Sequence, residues 1–376
     1  MNCILHIRRL SPQTISYSPR IFNGRRFCRR QHLTSSPRSP VTANTTSSHR
    51  QQRGSSNSVP PYIIYGFVVP LTGITAASVY AYYSCLDNVP FTHRRRFLAT
   101  TPQWEANMGH EQYRVLLKQF KGEILPNDHR ASVTAQRVGG RISAAAQNCS
   151  RDWNATSNNE PSVQSKFSPS PYTYTVVRSP EANAFVLPGN HVFVLTGLFR
   201  YTHNEDELAS VLGHEMAHNL ARHAGERMSE GLLLGVISRL ALIIDPTGIL
   251  FSILLPAQTL LYSLPHSREH EVEADRIGVI LASEACYDPT AAKRVFSRMK
   301  EDAEDGTNGN RAPPPEFIST HPGYDTRLTF FDQWMPDALG RFNKDGGNKC
   351  RAIRDEMKRA RRLAAEMHDG KKGRGR

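Results

Sequence analysis

"HNEDELASVLGHEMAHNLARH", residues 203–223, sets His214 and His218 four residues apart with Glu215 directly after the first histidine. Its flanks predict a helix. Asn204 suits the N-cap, Glu207 follows three residues later, and acids fill the first turn where they favour the helix dipole. Leu208, Val211 and Leu212 form an amphipathic stripe, which Glu215 and His218 continue along the same i, i+3, i+4 progression. Residues i and i+4 stack on one helix face, so two imidazole nitrogens can meet a zinc ion about 2 Å from each. Glu215 stands beside that point, placed to take a proton from an attacking water. The bland reading is a pair of satisfied core histidines.

A catalytic metal needs a third protein ligand and an open position. The extended HExxHxxGxxH pattern fails, because Ala221 and Ala224 stand where glycine and histidine are needed and His223 is one place out of register. "SREHEVEAD", residues 267–275, is the richer source: Glu269, Glu271 and Glu273 are all candidates, against the alternative of a solvated acidic face. Glu271 has one advantage, since Asp275 lies one turn later and can accept a hydrogen bond from a ligating histidine. Ala274, being small, allows close approach of this helix to the first.

Working outward, residues 103–121 and 129–147 read as helices, with Tyr113, Leu116, Leu117 and Phe120 recurring at helical spacing in the first. Residues 154–172 read as a surface loop, and "YTYTVVRSP" (172–180) and "HVFVLTGLF" (191–199) as neighbouring strands joined through the turn "LPGN". Residues 231–265 are strongly apolar but broken by Arg239, Asp245, Pro246 and Pro256, which favours a buried helical hairpin over a segment touching lipid. Further helices follow at 291–304 and from "STHPGYDTRLTFF" onward, with "NGNRAPPP" as a loop. The fold class is α+β, mostly helical with a small β-sheet, in a domain covering 90–345; residues 346–376 form a basic helix and tail expected to be solvated, with contact to an anionic membrane surface as the alternative.

The N-terminus differs from all of this. Of the chain's 376 residues, 1–60 contain ten arginines and no acid, with serine, threonine and proline between them, the composition of a mitochondrial transit peptide. A nucleic-acid-binding arm is the competing reading of that charge and of the net +13. Residues 61–85 are charge-free with tyrosines at both ends, as one transmembrane helix requires for a core about 30 Å thick. Ten arginines before the span against Arg94, Arg95 and Arg96 after it keep the N-terminus inside. The six cysteines show no metal-site spacing; a disulfide among Cys149, Cys286 and Cys350 would leave one thiol over. Asn44, Asn148 and Asn154 open glycosylation sequons that would matter only in the secretory pathway.

"HEMAH" with "SREHEVEAD", preceded by "NAFVLPGNHVFVLTGLF" and followed by "STHPGYDTRL", resembles the M48 family of membrane-linked zinc peptidases. The arginine-rich arm and single span make it most similar to the Oma1-type branch of the mitochondrial inner membrane. The resemblance covers about residues 90–340. It implies a gluzincin-like peptidase domain behind one transmembrane helix, with one zinc ion per chain held by His214, His218 and Glu271. Glu215 would be the catalytic base and Asp275 the outer partner of a ligand. It implies that His321 and Arg327 approach the metal, the histidine either blocking the open position or stabilising the oxyanion; capping the next helix is the alternative for His321. Val192, Phe193 and Val194 would form an edge strand pairing substrate backbone. The implied activity is stress-responsive cleavage and quality control of inner-membrane proteins, with the peptidase domain facing the intermembrane space. Implied partners are those substrates, membrane lipid and a second copy in a homo-oligomer, but not nucleic acid. Rival readings are a peptidase of the endoplasmic reticulum and a catalytically quiet scaffold of the same family.

Overall fold

The computed structural model describes residues 66, 69–89, 92–156, 171–258, 264–307, 317, 320, 321 and 324–373. The arginine-rich arm, the start of the apolar stretch, most of the expected 154–172 loop and the loop "NGNRAPPP" lie outside them. Residues 61–376 form one compact unit. It opens with helix α1 (Val69–Ser84) and a short antiparallel pair, β1 (Leu86–Asn88) and β2 (Arg95–Phe97). Helices α2 (Pro102–Gln119) and α3 (Arg130–Thr156) follow, and Thr101 caps α2 by accepting a hydrogen bond from the Trp104 amide. Helix α3 outruns the expectation and carries Asn148 and Asn154, so both sequons sit on a helix and not on a surface loop.

Three strands come next: β3 (Thr173–Val177), β4 (Ala184–Leu187) and β5 (His191–Leu195), in the order β3-β5-β4. β3 and β5 are parallel neighbours in the register Thr175↔Phe193, and β4 pairs antiparallel with β5 in the register Phe185↔Phe193. The turn at "LPGN" therefore joins β4 to β5, and residues 196–200 form a 3₁₀ turn in place of a longer strand. β4 escaped the sequence reading because only four residues separate its loop from its turn. β5 is central, with Val192, Phe193 and Val194 fully buried, which corrects their assignment to an edge. β3 is covered at its outer side by an isolated bridge from Ile124, leaving β4 as the free edge among the described residues.

Helix α4 (Glu205–Leu220) occupies the centre of the domain. It packs most extensively on α7 (Leu264–Glu284) and also touches α3, β4 and α8 (Ala291–Thr307), while α9 (Tyr324–Phe342) closes over α7. The expected amphipathic face is replaced by burial on every side, from Leu208 through Ala217. α4 and α7 cross with their backbones almost touching: a Cβ on Gly213 would lie 2.9 Å from the Gly278 carbonyl oxygen, and one on Gly278 would lie 2.8 Å from the His214 amide nitrogen. The glycine that opens "GHEMAH" is thus half of the contact that brings the two helices together. Ala274, the expected close-approach residue, is fully buried on the same helix.

Between them runs a helical hairpin, α5 (His223–Ile244) and α6 (Ile249–Gln258), which pack on each other around a turn where Asp245 accepts from the Leu250 amide. This hairpin corrects the expectation of burial. Leu232, Val236, Leu240, Ile243, Ile244 and Ile249 are exposed, Ile243 and Ile244 by about three quarters. α1 likewise buries none of its residues. Among the described residues no helix is long and apolar enough to cross a membrane. The last helix, α10 (Asn348–Gly373), is tied down and not merely solvated: Arg354 pairs with Asp206 on the first turn of α4, Met357 is buried, and a disulfide joins Cys350 to Cys286. Cys149 is buried and lies outside the disulfide.

Candidate metal centre and active site

The N-terminus of α4 is built as its sequence requires. Asn204 accepts from the Glu207 amide at 3.0 Å, while the Glu207 carboxylate accepts from the His203 amide at 2.7 Å and pairs with Arg298. Three turns further on, His214 and His218 meet as the helical repeat demands, their Nε2 atoms 3.1 Å apart. From α7, Glu271 brings one carboxylate oxygen to 3.4 Å from His214 Nε2 and the other to 3.5 Å from His218 Nε2. His321 completes the group, its Nδ1 2.8 Å from Glu271 Oε2 and 3.3 Å from His214 Nε2. The four ligand atoms lie within 4.8 Å of one another.

This donor set fits a metal. Two imidazole nitrogens and a carboxylate face one point, and the Nε2 separation is close to the edge of about 3.3 Å that two ligands make on a tetrahedral zinc ion. The outer nitrogens are held so that Nε2 is the free one. His214 Nδ1 lies 2.8 Å from Asp275 Oδ1, and Asp275 in turn accepts from Arg327 at 2.6 and 2.7 Å. Arg327, only 2% exposed, also donates to the His321 carbonyl at 2.9 Å and stacks over Phe296, so one guanidinium anchors both Asp275 and the His321 segment. His218 and His321 keep 12% exposure each, marking the side from which a peptide reaches the centre.

The electrostatics separate the carboxylates. Burial would raise Glu271, but the surrounding imidazoles of His321, His218 and His214 hold it well below the usual carboxylate range, an anion ready for a cation. Asp275 is likewise held down against its burial by Arg327. Glu215 is the exception: burial pushes it up, and its Oε1 makes no hydrogen bond while standing 3.3 Å from His321 Nε2. A buried carboxylate with an unclaimed oxygen and a raised pKa has the properties of a proton acceptor. Burial lowers His214, but its hydrogen bonds to Asp275 and Glu271 outweigh that and lift it to about 9, so a metal must displace a proton there.

Of the three candidate ligands in "SREHEVEAD", Glu271 faces the histidines, Glu269 is exposed, and Glu273 is buried against a second cluster of His223, Arg94 and Thr92. That cluster was missed. Arg94 had been read as a topological charge flanking the span, yet it pairs with both Glu226 and Glu273, and Arg96 is buried between Asp87 and the Ala221 carbonyl. The cluster's cause is the backbone at Arg222, which takes a left-handed conformation (φ 54°) just after α4 and so folds His223 back towards His218. Local periodicity cannot reveal a ring that returns by a reversal of the chain.

An HExxH helix crossed by a second helix that supplies an acidic ligand and an aspartate behind it defines a metallopeptidase. The profile of "Peptidase family M48" matches residues 155–335. The chain is 35% identical over 266 residues to the mitochondrial metalloendopeptidase OMA1 of Schizosaccharomyces pombe, covering 70% of this chain and 71% of that one. It is 32% identical to the Saccharomyces cerevisiae protein of the same name, over 68% and 71% of the two chains. Similarity to the human metalloendopeptidase OMA1 is 28% over 69% of this chain and 47% of the human one. The chain belongs to peptidase family M48 and is a metalloendopeptidase of the OMA1 type.

Proposed function

We propose that the chain is a zinc-dependent endopeptidase anchored in the mitochondrial inner membrane, where it cleaves membrane proteins in stress response and quality control. The observation that carries the catalytic part is the convergence of His214, His218 and Glu271 on one point with Glu215 alongside. A zinc ion held by those three residues supplies Lewis-acid activation of water and polarisation of the scissile carbonyl. Glu215 takes the proton of the attacking water and returns it to the leaving amine, a task suited to its raised pKa. Asp275, fixed by Arg327, holds His214 in the tautomer that offers Nε2. His321, beside His214, Glu271 and Glu215, would be placed to stabilise the oxyanion that forms in the reaction. Substrate backbone adds to β4, the free edge lying against α4.

Location rests on other features. The relatives named above are mitochondrial, and the arm of residues 1–60 has transit-peptide composition. Arg94 and Arg96 are engaged in internal ion pairs, so little free positive charge follows the apolar stretch 61–85, in keeping with an N-terminus on the matrix side and the peptidase facing the intermembrane space. The Cys286–Cys350 disulfide suits an oxidising compartment. The exposed apolar faces of α1 and of the α5–α6 hairpin suit lipid contact, which would bring the peptidase down onto membrane-embedded substrates. The decisive experiment is Glu215→Gln. It should retain one metal ion per chain and lose about 10²-fold or more of peptide-bond cleavage; comparison of membrane proteins cut in cells by the two forms identifies substrates, and unchanged cleavage would remove the mechanism.

A further inference from the structure

Zinc at His214 and His218 accounts for only one of the two histidine clusters. We propose that His223, Glu273 and Arg94 form a positioning relay that locks His218 in its metal-binding tautomer. The proposal rests on the reading of His218 Nε2 as a metal ligand. Under that reading the lone pair of His218 is on Nε2 and its proton is on Nδ1, which lies 2.7 Å from His223 Nδ1. Only one proton fits between two ring nitrogens at that distance, so His223 Nδ1 accepts and the proton of His223 is on Nε2. That nitrogen is 3.0 Å from Glu273 Oε2. Glu273 Oε2 accepts in addition from Arg94 at 2.8 and 3.1 Å, and Arg94 is itself clamped by both oxygens of Glu226 at 2.7 and 2.8 Å.

Every proton in this chain thus has one direction, and reversing it would place a proton on the nitrogen that faces the metal. His223 is fully buried and stacked on His270, so water does not substitute for it. The result parallels the Asp275–Arg327 support of His214: an imidazole, a carboxylate and a guanidinium in series. It differs in one respect, because a neutral ring stands between His218 and the carboxylate, whereas Asp275 touches His214 directly.

The same proton count disposes of the obvious rival. His223, Glu226 and His270 also bring their donor atoms within 4.8 Å and resemble a second metal site, with His270 Nε2 3.2 Å from Glu226 Oε2. A metal on His223 Nε2 would require lone pairs on both nitrogens of His223 at once, since Nδ1 already accepts from His218. It would also have to share Glu226 with Arg94.

The test compares the full chain with its His223→Phe and His223→Gln forms by zinc affinity in chelator competition, the visible spectrum of cobalt(II) substituted for zinc, and metal count per chain. Phenylalanine keeps the stacking and removes both hydrogen bonds; it should weaken zinc about 10- to 100-fold and alter the cobalt spectrum. Glutamine offers an oxygen to His218 and an amide to Glu273, and should restore affinity to within a few-fold. If the phenylalanine form does not fold by circular dichroism, Glu273→Gln replaces it, with several-fold weaker zinc expected. Unchanged affinity in the phenylalanine or Glu273→Gln form, glutamine no better than phenylalanine, or two metal ions per wild-type chain would overturn the relay. A wild-type chain that binds no zinc would instead overturn the metal-site reading on which it rests.

Discussion

The α4–α7 pair and the α5–α6 pair are both helical, adjacent in sequence, and opposite in what they bury. The first hides three histidines and several carboxylates at the heart of the domain; the second turns isoleucines and leucines outward. Soluble domains distribute residues the other way, so each departure marks a requirement beyond folding. In α4–α7 the buried charges are matched in series, cation to carboxylate to imidazole, around one metal position. In α5–α6 the apolar face stays exposed among the described residues. The inside of this protein is polar where a cation is wanted, and its outside is apolar where a bilayer is proposed.

The largest break in that comparison should come from Asp275→Ala, which takes from buried Arg327 the carboxylate that holds it at 2.6 and 2.7 Å and leaves it Glu271 at 3.3 Å. A loss of about 3–5 kcal/mol is expected in chemical unfolding of the metal-free chain, together with weaker zinc binding in chelator competition. Gly278→Ala comes next. Its new methyl meets the His214 backbone at the helix crossing, and a loss of about 1–3 kcal/mol in the same unfolding experiment would establish how tightly α4 and α7 must approach.

Arg94→Met tests the supporting charges through their pH dependence. Burial opposes ionisation of Glu226, but Arg94 and His270 overcome it and hold the carboxyl far below its ordinary value near 4.5. A carboxyl depressed in the folded state contributes stability that is complete above that value and is lost as pH falls through the folded one. The methionine form should therefore melt lower than wild type at neutral pH, and the gap should close progressively as pH drops below about 4. The smallest effect on the fold should come from Ile243→Ser with Ile244→Ser. Thermal unfolding should change by no more than about 0.5 kcal/mol, because these side chains are already exposed. Flotation with liposomes of a chain lacking residues 1–85 should nonetheless fall; equal flotation would deny the hairpin its contact with lipid.

Helix α4, its cap at Asn204 and the pairing of His214 with His218 were legible because each depends on residues within four positions of one another. β3 and β5 were legible from composition as neighbouring strands, but their parallel pairing was not. β4 was not, since four consecutive apolar residues show no alternation, and its presence moved Val192, Phe193 and Val194 from the edge to the centre of the sheet. The hairpin's apolar character was readable but its exposure was not: hydropathy states what a segment prefers to touch, while burial depends on whether anything arrives to cover it.

The sequence by itself therefore determined a metal-binding helix, an acidic partner within "SREHEVEAD", and an arm and apolar stretch suited to targeting, all of them properties of spacing or composition. Which of Glu269, Glu271 and Glu273 faces the histidines was decided by the crossing at Gly213 and Gly278, which sets the rotation of α7 against α4. The left-handed turn at Arg222 decided that His223 supports His218. Both depend on backbone geometry between segments, and no periodicity within either segment contains it.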